Sequence, residues 1–431
     1  MRDIAEGNNI TKIVLAIKRS LNYSLLRGRI CLIRSPQKDD FMHNIVLLLG
    51  LVFFCGGTVF AQPNPVEIKI DPKNMPEGDL RMSDLIESVE YIPLETTDEC
   101  LIGDGVRYDF NDEYIIAGDL HGEAVYLFNR KGKFIRAIGG KGPGPQEFTY
   151  IGKLWINSED QNIMVSCGKI LHFNYKGDYL YTTSFPMDDR ECDRYFHGNF
   201  LRVAESYLLR DSSYYVFNLF DTKGRFVKEA IRSVPIPLIA DKKWRIALRV
   251  IPIDRSYEYD NAIHVRETMN DTIYQIDGLN NFIPKYVFNL GKYRLTPEIQ
   301  GNLPRFRELA PNCVVPQVII ETSRYLLIQY NYQDRYHYCY FDKAQGKTYA
   351  FNSKNGFPND YDGGLDFPFT FRCQKNQYVS CYVHADEFTD PEKRTKQEPH
   401  GPQSAIRAFE KLVKKVDPDD NPIIMIVKLK E

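Results

Sequence analysis

The residues from Ile138 to Phe148 read Ile-Gly-Gly-Lys-Gly-Pro-Gly-Pro-Gln-Glu-Phe, a glycine-rich run with a lysine inside it. Such a run could cradle a phosphate with successive backbone N–H groups. Here Pro143 and Pro145 remove two of those donors, and no Gly-Lys-Ser/Thr ending follows. The run reads better as a rigid crossing between two structural units, bordering a channel, and that leaves Lys141 and Glu147 as ligand-binding candidates. Asp119 and His121 lie in Asp-Leu-His-Gly-Glu, between two strand-like runs. Asp334 and Arg335 occupy a similar interval, and so do Arg266, Glu267 and Asn270. Loops of this kind gather on one face, where acid, imidazole and guanidinium groups from separate units can meet a ligand. Each is more simply explained as a solvated turn.

Other chemistries find less support. The eight histidines form no HxH or HExxH pair, and no cysteines stand two apart as zinc or redox chemistry would need, so no metal is expected. Asp417-Pro418-Asp419-Asp420-Asn421 crowds oxygen ligands but lacks the glycine and distal glutamate of a calcium loop, and a helix-to-strand turn accounts for it. No Gly-x-Ser-x-Gly elbow is present. No cofactor is expected. The 55 basic and 57 acidic residues leave a net charge of −2, too little to gather nucleic acid.

The elements that would position these side chains repeat. Phe128-Asn129-Arg130-Lys131-Gly132-Lys133-Phe134-Ile135 returns at Phe173-Asn174-Tyr175-Lys176-Gly177 and at Phe220-Asp221-Thr222-Lys223-Gly224. Looser copies are Ile276-Asp277-Gly278 and Phe341-Asp342-Lys343-Ala344-Gln345-Gly346. Each reads as strand, tight turn, strand, with Asn or Asp opening the turn and Gly supplying a positive φ. The first two intervals match one propeller blade, and further strand candidates precede each hairpin. Later intervals are longer and imply inserted loops. A high aromatic content, with 28 Tyr and 26 Phe, also suits strands.

A sixth unit is expected around Phe371–Val383. Two lone strands remain, Val89–Leu94 and Pro422–Leu429, one near each end of the chain. Pairing them in one blade would close a ring and remove exposed edges. Ile406, Phe409, Val413 and Val416 fall near helical spacing within 403–416, predicting one short helix over that blade. The predicted fold is therefore all-β, a six-bladed propeller of four-stranded antiparallel blades closed by N- and C-terminal strands. Stacked β-sandwiches would supply strands but not the recurrent F-[ND]-x-x-G units.

Ile45–Phe54 is an uninterrupted apolar run of signal-peptide length, followed by Val59-Phe60-Ala61. Cleavage after Ala61 is expected, giving three parts: 1–61 as leader, 62–84 as a short N-terminal segment and 85–431 as the propeller. Met42 directly before the run is an alternative start. Cys55 offers a lipidation site, although Phe54 stands where a lipobox has a small residue. The remaining Cys100, Cys167, Cys192, Cys313, Cys339, Cys373 and Cys381 are odd in number and scattered, which argues against a disulfide framework.

In Tyr91-Ile92-Pro93-Leu94-Glu95-Thr96, the 138–148 run, Asn270-Asp271-Thr272-Ile273-Tyr274 and Asn421-Pro422-Ile423-Ile424-Met425, the chain resembles the six-bladed NHL-like or TolB-like β-propeller proteins of Bacteroidetes. The resemblance spans Val66–Glu431. It implies an exported protein, periplasmic or outer-membrane associated, in a family often lipidated and mostly without assigned activity. It carries no catalytic motif. The expected function is a non-catalytic binding or scaffold propeller of the cell envelope, serving an envelope protein, glycan or small molecule, without a membrane span in the mature chain. The alternative is a propeller hydrolase or lyase acting on carbohydrate or another small molecule.

Overall fold

The computed structural model describes residues 64–185, 192–209, 212–232, 236–237, 256–266, 271–276, 281–296, 299, 303–351, 353, 356–368 and 374–431. The leader 1–61, with Met42 and Cys55, lies outside these residues, as do Glu267, Asn270 and Phe371.

Strands β1 (Val66–Lys69) and β2 (Ile86–Pro93) come first. Four strands follow, β3 (Arg107–Phe110), β4 (Tyr114–Gly118), β5 (Val125–Asn129) and β6 (Phe134–Ile138), paired in chain order as an antiparallel quartet. The second quartet is β7 (Lys153–Asn157), β8 (Asn162–Ser166), β9 (Ile170–Asn174) and β10 (Tyr179–Thr183). The third is β11 (Cys192–Phe196), β12 (Asn199–Leu209), β13 (Ser212–Asp221) and β14 (Phe226–Arg232), with β15 (Ile236–Pro237) beside β13.

The fourth quartet is β16 (Ser256–Tyr259), β17 (Ala262–Arg266), β18 (Thr272–Ile276) and β19 (Phe282–Asn289). The fifth is β20 (Val315–Glu321), β21 (Tyr325–Tyr332), β22 (Arg335–Asp342) and β23 (Lys347–Phe351). Last come β24 (Gln374–Lys375), β25 (Tyr378–Val383) and β26 (Ile423–Leu429). β2 completes this group by pairing antiparallel with β26, Tyr91 opposite Met425 and Ile92 opposite Ile424. The strands from the two ends of the chain thus share one sheet.

The repeated motif explains the hairpins in detail. Phe128, Phe173, Phe220 and Phe341 are all fully buried, so the first residue of each repeat is core. Asn129 Oδ1 accepts the N–H groups of Lys131 and Lys133, and Asp221 Oδ1 accepts those of Lys223 and Arg225. Gly132, Gly177, Gly224 and Gly346 all have φ between 64° and 89°. Side-chain capping and left-handed glycine together fix the turn.

Two features were not legible in the sequence. β1 adds to the fourth quartet as a parallel fifth strand beside β19, burying Ile68 and Ile70. The chain then crosses the fifth quartet, where Gly78 N–H donates to Ala350 O and Ala350 N–H to Pro76 O. The segment 64–81 is therefore built into the sheets. The predicted C-terminal helix spans Gln403–Val413, with Phe409 buried 5.3 Å from the Tyr91 ring of β2. Cys100, Cys167, Cys313, Cys339 and Cys381 are free thiols. Among the described residues, no helix is long and apolar enough to cross a membrane.

Candidate functional site

In an antiparallel quartet the turn after the first strand and the turn after the second lie at opposite ends. The first-strand turns of five quartets come together around a cavity of about 910 Å³. They bring Asn111 and Asp112, Ser158, Asp260 and Asn261, Thr322 and Ser323, and Asn376 and Gln377, with Arg130 from the first hairpin. Asp260, Asn261 and Asn376 have φ of 52°, 52° and 54°, a left-handed backbone that Asn and Asp adopt more readily than other side chains. Asn376 holds the fourth and sixth groups together. Its Oδ1 accepts Asn261 N–H, its Nδ2 donates to Glu258 Oε1, and its own N–H donates to Glu258 O.

Glu321 borders the cavity at the end of β20 and is wholly buried. β20 is apolar nearly throughout, so this carboxylate must be compensated from neighbouring sheets. Tyr257 Oη donates to Oε2 at 2.8 Å and Tyr286 Oη to Oε1 at 2.7 Å. Lys343 Nζ donates to Oε1 at 2.8 Å, and Lys285 Nζ lies 3.2 Å from the same oxygen. Gln374 receives the Glu321 N–H and donates to the Glu321 carbonyl. Burial alone would raise the Glu321 carboxyl, but the charges of protonated His264, Lys343 and Lys285 overcome it and hold it at about 2. His264, stacked on Tyr257 at 4.7 Å, is pushed down to about 4 by burial against the pull of Glu321. At neutral pH the histidine is therefore uncharged, and Lys285 Nζ sits 3.0 Å from its Nε2. Burial and the Glu321 charge both raise the tyrosine hydroxyls, keeping them protonated as donors.

The residues singled out in the sequence lie at other places. Asp119 is spent on its own turn, Oδ1 accepting His121 N–H and Oδ2 accepting Gly103 N–H, both at 3.0 Å. His121 is exposed. Lys141 pairs with Glu123 at 2.9 Å, its backbone N–H on Glu123 O, so the 138–148 run docks onto the Asp119 turn. Glu147 Oε2 accepts Gly144 N–H within that run. These four share one loop group at the ends of the first two quartets away from the cavity. Arg266 is buried at the far end of β17, donating to Pro316 O. Asp334 and Arg335 form the exposed β21–β22 turn. None of them lines the cavity. Asn421, last residue of the acidic turn, is buried: Oδ1 accepts Ile102 N–H, and Nδ2 donates to the carbonyls of Glu95 and Cys100. Among the described residues no group of His, Cys, Asp and Glu is placed to hold a metal.

Sequence reasoning passed over Glu321 and its partners. The available signal was a lone carboxylate ending the apolar run Val-Pro-Gln-Val-Ile-Ile-Glu, which no exposed strand would explain.

A family model described as a domain of unknown function, DUF4934, matches residues 65–428. Among solved structures, a Bacteroides fragilis NCTC 9343 protein described as a candidate exported protein is 18% identical, covering 85% of this chain and 99% of its own, with a TM-score of 0.58. A member of the DUF4221 family from Bacteroides vulgatus ATCC 8482 is 11% identical over 80% of this chain and 97% of its own, with a TM-score of 0.37. The first likeness bears on the fold alone, and the second is too remote to bear on it. No curated protein matches.

Proposed function

This chain belongs to the DUF4934 family, and from that premise we propose that it is an exported binding propeller of the cell envelope that holds a small polar ligand without transforming it. Its six four-stranded groups close as a six-bladed, NHL-like ring, and the cavity at the first-strand turns is where the ligand sits.

The observation that carries this reading is the state of Glu321. Catalytic acids and bases need a lone pair or proton facing the substrate. Glu321 has both oxygens engaged by two tyrosine hydroxyls and two ammonium groups, and His264 beside it is sealed from solvent. These groups therefore stabilise one another, and Glu321 is the member that borders the cavity. Export rests on the apolar run Ile45–Phe54 and the Val59-Phe60-Ala61 ending.

The test is a ligand screen by thermal shift and calorimetry, with mass analysis of the recovered ligand. Binding with the ligand returned unchanged supports the reading. Turnover that disappears in Asp112→Asn or Asp260→Asn would favour the hydrolase or lyase alternative.

A further inference from the structure

The cavity lining carries both cationic and anionic side chains. Arg130 pairs with Glu90 through Nη2 at 3.1 Å, while its buried Nη1 has no hydrogen-bond partner among the described residues. The guanidinium lies 5.4 Å from the centre of the Phe110 ring. Lys375 reaches the same residue from another sheet, its Nζ making one long 3.4 Å bond to Phe110 O. Lys375 thus keeps donor capacity beside Phe110, whereas Arg130 is closed off from solvent at Nη1 and paired at Nη2. Asp112 and Asp260, on the turns of the first and fourth quartets, are exposed and make no ion pair or side-chain hydrogen bond among the described residues.

Charge of a single sign would select a ligand of the opposite sign. Here a carboxylate or phosphate would meet Asp112, Asp260 and Glu90, and an amine would meet Lys375 and Arg130. A hydroxyl group avoids both conflicts, because it accepts from Lys375 and donates to an aspartate. The walls add aromatic rings: those of Phe110 and Tyr378 stand edge to face at 6.5 Å, and Tyr259 comes from the same nine-stranded sheet as Tyr378. Flat aromatic faces between hydrogen-bonding groups suit the C–H faces of a ring that carries hydroxyls on its rim. A volume of about 910 Å³ is near the top of the range for small-molecule sites, roughly 300–1,000 Å³, and accommodates more than a single sugar ring.

We infer that the cavity recognises an uncharged oligosaccharide, with Lys375 donating to its hydroxyls, Asp112 and Asp260 accepting from them, and Tyr259 and Tyr378 packing on its rings. This rests on the binding reading above and narrows it to one ligand class.

The experiment uses the protein purified after expression of the full chain, and titrates it calorimetrically with neutral trisaccharides (cellotriose, xylotriose, mannotriose). Trigalacturonate, the glucosamine trimer, nucleosides and dipeptides are run in parallel. The expected result is binding of a neutral trisaccharide with Kd below about 1 mM. Lys375→Ala and Tyr259→Ala should each weaken it about tenfold or more, the loss of one good contact. Asp112→Asn, an exposed change that leaves packing alone, should weaken it as well, and it keeps the test open if the other two variants fail to fold. Tighter binding of either charged trimer overturns the inference. Binding of a nucleoside or dipeptide with no trisaccharide bound overturns it while leaving the binding reading intact. No binding by any compound overturns both.

Discussion

Tyr257 on β16 donates a 2.8 Å hydrogen bond to Oε2 of Glu321 on β20, joining the first strands of two adjacent quartets through a buried charge. With Tyr286, Lys285 and Lys343 on the other oxygen, the carboxylate is the point where the fourth and fifth quartets are fastened together. Removing it leaves two ammonium groups and two hydroxyls without their acceptor. Glu321→Ala should cost about 3–5 kcal/mol, as breaking a buried ion pair does. Tyr257→Phe, which removes one donor, should cost about 1–3 kcal/mol. Urea midpoints measure both, and an unchanged midpoint for Glu321→Ala would show that the quartets are held by other contacts.

Acid should weaken the fold in two stages. His172 and His264 are fully buried, and burial pushes each down to about 4 from an ordinary 6.5. Between those values the unfolded chain binds protons that the folded chain refuses, so stability is complete above pH 6.5 and falls as pH drops towards 4. The loss is on the order of 3 kcal/mol per histidine. Glu321 acts below this window. Its carboxyl is held at about 2 against an ordinary 4.5, so its contribution is present above 4.5 and is lost as pH falls through 2. Urea midpoints at pH 7.5, 6, 5 and 4 should decline steadily, and His172→Gln should flatten the first stage. A profile flat from pH 7 to 4 would contradict the neutral, buried state of both rings.

The hairpin glycines share one motif but not one environment. A Cβ on Gly132 would lie 2.0 Å from Pro93 O, and one on Gly224 would lie 2.1 Å from Ser184 O. Each hairpin is docked against the end of the preceding sheet. Gly346 also has positive φ, 64°, but nothing lies within 4 Å of its Cβ position. Gly346→Ala should therefore cost about 1–2 kcal/mol, from backbone conformation alone. Gly132→Ala and Gly224→Ala should cost clearly more, because backbone must move as well. Equal midpoints for the three variants would mean that docking against the preceding sheet adds nothing.

How much of this was legible follows from how far each signal travels along the chain. The hairpins were readable because Phe, Asx and Gly act within five residues of one another, as Phe128, Asn129 and Gly132 do. The pairing of β2 with β26 was readable because two strands lacked partners. β1 was not, since Val66–Lys69 is four residues long and its partner β19 lies more than 200 positions away. The cavity was hidden for the same reason: Asp112, Ser158, Asp260, Ser323 and Lys375 are unremarkable turn residues until four sheets gather them. Asp119 and Glu147 attracted attention as polar loop residues, yet their carboxylates are spent on neighbouring backbone N–H groups, a use that composition does not reveal.

Asn421 connects the two ends of the chain in the way that best tests their pairing. It precedes β26, and its side chain makes three hydrogen bonds to Glu95, Cys100 and Ile102, just after β2. Its own N–H donates to Thr96 Oγ1. Asn421→Ala would strand one buried N–H and two carbonyls, costing about 2–4 kcal/mol by the usual penalty for unsatisfied groups. Asn421→Asp should be no better, because a carboxylate keeps the bond from Ile102 but cannot donate to the two carbonyls. Hydrogen exchange locates the effect: amides of β2 and β26 should lose protection first, while those of β8 and β9 keep theirs. Uniform loss across all sheets would indicate that the end strands open only with the whole fold.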